Sequence, residues 1–222
     1  MNRIQSNLVY RYGKVRAAIS KEQGFQISLL PKQKALWYRV PKAGTRSINH
    51  HFNNHVDGYY YCSKDVLLNP FYQDWFKFVI IRNPLERARS VRRQKILGGG
   101  LGAELFGLKE SETEKLQDFE EFVRWLGDQN LDSGEVHIRK QTALIPVEEM
   151  DFIGTLQTLE EDFGATCSRL NLEHSKLPYK NKIERLESTL APQTHNLIMS
   201  YYQEDSVLWE NLYGKREYMK SP

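Results

Sequence analysis

The sequence predicts an α/β fold built around a mostly parallel β-sheet. The chain has 222 residues, of which 40% are hydrophobic and 27% charged, which suits a single domain over 1–222. Two short apolar runs, residues 35–40 and 78–81, are continuous rather than alternating, as in strands buried on both faces. Each is followed at once by turn residues and then by a helical pattern.

In chain order, residues 1–24 are polar and mixed and read as an N-terminal arm. Residues 25–30 alternate weakly, as an edge strand would. The run 35–40 is broken by Pro41 and Gly44, and 48–52 opens a helix. Residues 53–75 read as loops around a short extended piece at Tyr59–Tyr60–Tyr61. Phe71, Tyr72, Trp75 and Phe76 either wall a pocket or pack beneath the sheet. After the strand 78–81, Arg82-Asn83-Pro84 supplies an N-cap and a first-turn proline. Leu85, Ala88 and Val91 then fall on one helical face. The glycine run 98–102 is a mobile loop over a cleft or a plain linker. Leu116, Phe119, Phe122, Val123 and Leu126 mark an amphipathic helix stopped by Gly127. Phe152-Ile153-Gly154 reads as a further strand. Leu156, Leu159, Phe163, Cys167 and Leu170 stripe the helix after it. A basic loop, 173–182, precedes two C-terminal helical patterns over 183–222.

The net charge of +3 is small for a nucleic-acid binder, so no nucleic-acid partner is expected. Charge is nevertheless uneven. Residues 82–95 hold five arginines and Lys95 against Glu86, and 110–121 are strongly acidic, as a solvated helix start. Cys62 and Cys167 are far apart, with neither a disulfide framework nor zinc spacing. Cys167 sits at a core position of its helical pattern. No apolar run approaches the ~18 residues of a membrane span, and no signal-peptide core opens the chain. The expectation is a cytoplasmic protein without a membrane partner; the sequence does not fix its oligomeric state.

The stretch 41–47, Pro-Lys-Ala-Gly-Thr-Arg-Ser, has the makings of an anion site. A helix start presents unpaired backbone N–H groups, and its dipole favours negative charge. Gly44 lets the backbone approach the anion, Lys42 and Arg46 add charge, and Thr45 and Ser47 add hydroxyls. The lysine precedes the only glycine, the reverse of the usual nucleotide loop, G-x-x-x-x-G-K-[ST]. The stretch resembles the 5′-phosphosulfate loop of sulfotransferases, P-K-x-G-[TS]-x-S. Residues 82–90 resemble the same family's 3′-phosphate motif, R-[DN]-P-x-x-R-x-x-S, with Arg82, Pro84, Arg87 and Ser90 in place. Residues 136–172, including His137 and Gln141 as H-x-x-x-Q, are similar to text found in carbohydrate-type, Golgi-like members. Tyr201, Tyr202, Asp205 and Trp209 resemble the closing Y-x-x-D-x-x-x-[FW] helix, read as a packing element. The resemblance covers roughly 35–212; at Gln157 and Thr158 the family often has Glu.

The resemblance implies a three-layer α/β fold with a central, mostly parallel sheet and a P-loop-like phosphosulfate loop. It also implies a transferase moving sulfonate from 3′-phosphoadenosine 5′-phosphosulfate (PAPS) to a hydroxyl of a carbohydrate or small metabolite. 3′-Phosphoadenosine 5′-phosphate (PAP) is the product, and no metal is required. Lys42 would act at the bridging oxygen, while Ala43, Gly44, Thr45, Arg46 and Ser47 cradle the 5′-phosphate. Arg82 and Ser90 would hold the 3′-phosphate, and Lys182 belongs to the basic loop that closes over the nucleotide. The base is His137 or His55; His50, His51, His174 and His195 have less supporting context, and Glu22 and Asp57 stay open. Many animal relatives carry an N-terminal anchor, so this chain is a soluble enzyme or one trimmed of an anchor. Two other classes compete: a P-loop-like kinase, which would want a magnesium-binding acid where Arg82 stands, and a non-catalytic module that binds anionic ligands.

Overall fold

A computed structural model describes residues 25–52, 60–62, 72–98, 104–174 and 190–220. The N-terminal arm, His55, Phe71, most of the glycine run and the basic loop with Lys182 lie outside the described residues. The chain divides into two compact units. One lies within Met1–Ile81 and Leu144–Lys180, the other within Arg82–Ala143 and Asn181–Pro222.

The first unit holds a five-stranded sheet in the order β3-β1-β2-β4-β5. Its strands are β1 (Phe25–Leu30), β2 (Ala35–Tyr38), β3 (Tyr60–Cys62), β4 (Phe76–Ile81) and β5 (Phe152–Thr155). β2, β4 and β5 pair in parallel. β1 is antiparallel to both β2 and β3, so four strands share one direction and β1 alone opposes them. The predicted edge position of residues 25–30 is corrected: β3 pairs on the outer side of β1 and takes the edge itself. Ile27, Ser28, Leu29 and Leu30 are all buried, so both faces of β1 are covered and its alternation is weak.

Strand side chains alternate between the two faces. On one face Leu30, Ala35, Trp37, Phe78 and Ile80 pack with Ile48 and Phe52 at the first helix, α1 (Thr45–His51). Leu159, Phe163, Cys167 and Leu170 complete that core. They come from the helix after β5, at Leu159–Arg169, and its C-cap. Phe52 and Phe163 meet with ring centroids 5.1 Å apart, a contact that adds to the area both rings bury. Leu29, Leu36, Val79 and Ile81 on the opposite face are also buried, as the middle layer of a three-layer fold requires. Tyr72 and Trp75 are buried together, edge to face, which favours packing over a pocket wall. Gly154 is required where this helix meets β5, since a Cβ there would stand 2.5 Å from Ile80 Cδ1. Asp162 ties the helix to the strand by accepting from the Thr155 N–H at 2.6 Å and the Thr158 hydroxyl at 2.7 Å.

The second unit is helical. In chain order with the helices above, it contains α2 (Pro84–Lys95), α3 (Glu110–Lys115) and α4 (Phe119–Gly127); the helix Leu159–Arg169 of the first unit is α5, and α6 (Pro192–Tyr201) and α7 (Gln203–Lys220) follow. Ala88 and Val91 of α2, Phe122, Val123 and Leu126 of α4, and Ile198 and Tyr202 around α6 form its core with Leu131 and Ile138. The Asn83 cap is the one the sequence predicts, and Asp118 adds a cap not predicted from the sequence. Asn83 accepts from the Glu86 N–H at 3.2 Å ahead of Pro84, and Asp118 accepts from the N–H groups of Glu120 and Glu121. The acidic residues of α3 are mostly exposed. Among the described residues, no helix is long and apolar enough to cross a membrane.

Candidate active site

The chain leaves β2 into residues 41–44 and enters α1 at Thr45. Two residues in this turn are left-handed, Lys42 at φ 73° and Gly44 at φ 79°. Glycine accepts that conformation freely. At Lys42 it costs roughly 1–2 kcal/mol, which points to a loop held in shape for use rather than for stability. Ala43 N–H donates to the Val40 carbonyl at 3.3 Å, and both Ser47 and Ile48 N–H groups turn back to the Gly44 carbonyl. The N–H groups of Thr45 and Arg46 start α1 and have no acceptor within the helix. A left-handed residue followed by helical ones turns successive N–H groups toward one point, a concavity that suits an anion.

The side chains divide the work differently from the sequence expectation. The Thr45 hydroxyl donates to the Val40 carbonyl at 2.9 Å, so its proton shapes the loop and its backbone N–H remains for a ligand. Arg46 is exposed, Lys42 and Ser47 are half-buried, and Ala43 is buried. Gly44 is constrained twice, by its φ and by Leu156, whose Cδ1 would lie 2.9 Å from an added Cβ.

β2 and β4 are parallel neighbours in register, Tyr38 beside Val79. The chain therefore leaves both strands at the same, C-terminal end, and Arg82 is the first residue after β4. In open α/β sheets ligands bind outside such strand ends. Arg82 is buried, with its Nη2 3.5 Å from Glu86 Oε2. Burial, together with the charges of Arg93 and Arg87, pulls its pKa below the ordinary arginine value, against the pull of Glu86. A guanidinium nonetheless keeps its charge. Ser90, two turns along α2, is also buried. Arg87 is not placed for a ligand: its Nη1 donates to the Arg139 carbonyl at 2.8 Å and its Nη2 to the Val136 carbonyl at 3.2 Å.

His137 is paired with Glu135. Its Nδ1 lies 2.7 Å from Glu135 Oε1, and its backbone N–H donates to Oε2 at 2.7 Å. Burial alone would raise the Glu135 carboxyl, but the hydrogen bond and charge of His137 outweigh it and hold it below its ordinary value. With Nδ1 facing the carboxylate, Nε2 is the nitrogen left to take a proton. The other described histidines have different settings. His51 Nε2 lies 3.0 Å from the Glu173 carbonyl and its ring packs edge-on against Phe163. His174 faces Glu160 at 3.5 Å, and His50 and His195 are exposed. Among the described residues, no three His, Cys, Asp or Glu side chains stand together as a metal would need.

A sequence model of the sulfotransferase family matches residues 25–213. The chain belongs to the sulfotransferase family. Neither the curated proteins nor the solved structures give a match. The family match spans both units and both motif-bearing strand ends. Membership supports sulfonate transfer in general, by a transferase.

Glu135 belongs to no motif read in the sequence, while Gln141 and Asp205 stand in motifs whose bonding role the sequence does not reveal. Gln141 bonds both polar backbone groups of Arg82, and Asp205 bonds the backbone of Gln141 and Thr142. The signals were present in H-x-x-x-Q and Y-x-x-D. The second of these is more than packing, since the Tyr202 hydroxyl also donates to the Ile138 carbonyl at 2.6 Å.

Proposed function

We propose that this sulfotransferase moves the sulfonate group of PAPS to an acceptor hydroxyl of a carbohydrate or small metabolite. The observation that carries the reading is the turn after β2, where left-handed Lys42 and Gly44 set backbone N–H groups and a lysine at a helix start. The residues fit the donor. The α1 N–H groups, Arg46 and Ser47 suit the 5′-phosphate. A buried guanidinium at Arg82, with Ser90, suits the extra 3′-phosphate that separates PAPS from ATP. The family resemblance also assigns Lys182 to the donor.

The reaction is an in-line displacement in which positioning and charge stabilisation do most of the work, as in phosphoryl transfer. The acceptor oxygen forms a bond to sulfur as the bond from sulfur to the bridging oxygen breaks. PAP leaves with the electron pair, and the acceptor proton goes to a base. Lys42 stabilises the charge that builds on the bridging oxygen. His137, oriented by Glu135, takes the proton on Nε2, with His55 as the alternative base. Lys42 and Arg46 supply the charge a metal supplies in kinases, so no metal is required. The acceptor is a glycan or small molecule and the compartment the cytoplasm, with no nucleic-acid or membrane partner.

Thermal melting with nucleotides tests the donor. At a PAP concentration one hundred times its Kd, stabilisation is about 2.7 kcal/mol, or roughly 5–11 °C for a chain of this size. ATP with Mg²⁺ should do far less. Stabilisation by ATP with Mg²⁺ and none by PAP would overturn the reading in favour of a phosphotransferase.

A further inference from the structure

We propose that Gln141 is a positioning residue for Arg82, holding the peptide from which that guanidinium projects, and that Asp205 in turn fixes Gln141. The inference deepens the donor reading above and rests on it. Arg82 stands between the end of β4 and the N-cap of α2, where neither a sheet ladder nor a helix serves its backbone. A buried N–H and C=O left without partners are costly. The Gln141 side chain answers both: Oε1 accepts from the Arg82 N–H at 2.9 Å, and Nε2 donates to the Arg82 carbonyl at 2.8 Å. One primary amide thus acts on Arg82 as a neighbouring strand would, and it restrains rotation of the residue about its own backbone.

The amide is itself held from behind. Gln141 is fully buried, and its backbone N–H donates to Asp205 Oδ2 at 2.7 Å. Asp205 Oδ1 accepts from the Thr142 N–H at 2.9 Å and the Thr142 hydroxyl at 3.0 Å. Arg87 and Tyr202 grip the same segment through the carbonyls of Val136, Arg139 and Ile138. A chain of bonds therefore runs from α7 through residues 141–142 to Arg82. An arginine that reads a phosphate by directed hydrogen bonds depends on where its stem starts, and small displacements of a binding group are costly. A purely structural Gln141 would affect every ligand alike. A positioning Gln141 affects only the group that Arg82 contacts, the 3′-phosphate.

Calorimetry on the full chain with PAP and with adenosine 5′-phosphate, which lacks the 3′-phosphate, separates the two. Gln141→Met removes both hydrogen bonds at similar volume. It should weaken PAP about tenfold, the scale of one or two net hydrogen bonds, while adenosine 5′-phosphate changes less than about twofold. In an Arg82→Ala background the same substitution should add nothing to the loss of PAP. Equal losses for both nucleotides, no loss at all, or a full further tenfold in the double variant would overturn the inference. Should Gln141→Met fail to fold, Asp205→Asn keeps the shape and one accepting oxygen. It should give a smaller loss confined to PAP, and an equal loss for both nucleotides would again overturn the proposal. A wild-type chain that binds PAP no better than adenosine 5′-phosphate sinks the donor reading and this inference with it. A wild-type preference for PAP that persists unchanged in Gln141→Met sinks this inference alone.

Discussion

Replacing Gly44 with alanine asks whether the turn after β2 is held in shape for a ligand. Two costs can be read from the geometry. Gly44 has φ 79°, and a Cβ in that conformation costs roughly 1–2 kcal/mol. The new Cβ would also stand 2.9 Å from Leu156 Cδ1. That atom is the far end of a flexible side chain, and swinging it off its rotamer costs about 0.5–1.5 kcal/mol. The sum, about 1.5–3.5 kcal/mol, corresponds to a fall of roughly 3–14 °C in melting temperature for a chain of this length. The loop can relieve part of this by abandoning the left-handed turn, but it then loses the concavity formed by the Thr45 and Arg46 N–H groups. Melting and PAP affinity are therefore measured together on Gly44→Ala. The expected result is a lower melting temperature, at least tenfold weaker PAP, or both. A variant that melts within 1 °C of wild type and binds PAP within twofold, both margins being about the precision of such measurements, would refute this view of the turn.

Two further outcomes follow from the charge environments. The Glu135 carboxyl is held below its ordinary value of 4.5 in the folded chain. Its contribution to stability is present above that pH and is lost as pH falls through the folded value. Because the pair is partly exposed, the contribution is at most about 1 kcal/mol. Wild type and Glu135→Gln should therefore differ in melting temperature near pH 7 and converge as pH falls through the folded value; parallel curves would contradict the pairing. Burial pushes the Cys167 thiol up to about 11, which leaves only about 3 thiolates in 10,000 at pH 7.5. Iodoacetamide followed by mass spectrometry should leave Cys167 unmodified in the folded chain and modified in urea. Equal rates in both would show that Cys167 is not buried.

The sheet and the helix starts were legible because their signals are local. The continuous apolar run before Arg82 could be read directly as a buried strand, and Asn83-Pro84 as a cap, without knowing what packed on them. β1 was misplaced because its position depends on β3, a partner some thirty residues away whose pairing leaves no mark on β1 itself. The left-handed turn was legible at Gly44, where glycine advertises the conformation, and not at Lys42, whose side chain does not. Arg87 matched a motif yet donates to carbonyls about fifty residues on, a long-range role that periodicity cannot register. Gln141 and Asp205 could be seen as motif letters, but their function exists only once residues 59 and 64 positions apart meet.

Transfer from PAPS labelled in its sulfonate group, offered a panel of glycans, phenols and alcohols, tests sulfonate transfer most directly. The wild-type chain should move label to an acceptor and release PAP one for one, with EDTA present or absent. Lys42→Ala should still bind donor, through the α1 turn and Arg82, but with kcat lower by roughly a hundredfold or more, the scale of losing one preorganised stabilising group. No label transfer to any acceptor, combined with Mg²⁺-dependent phosphate transfer from ATP, would contradict the proposed reaction. A Lys42→Ala chain altered only in its KM for donor would make Lys42 a ground-state anchor and remove it from the chemistry.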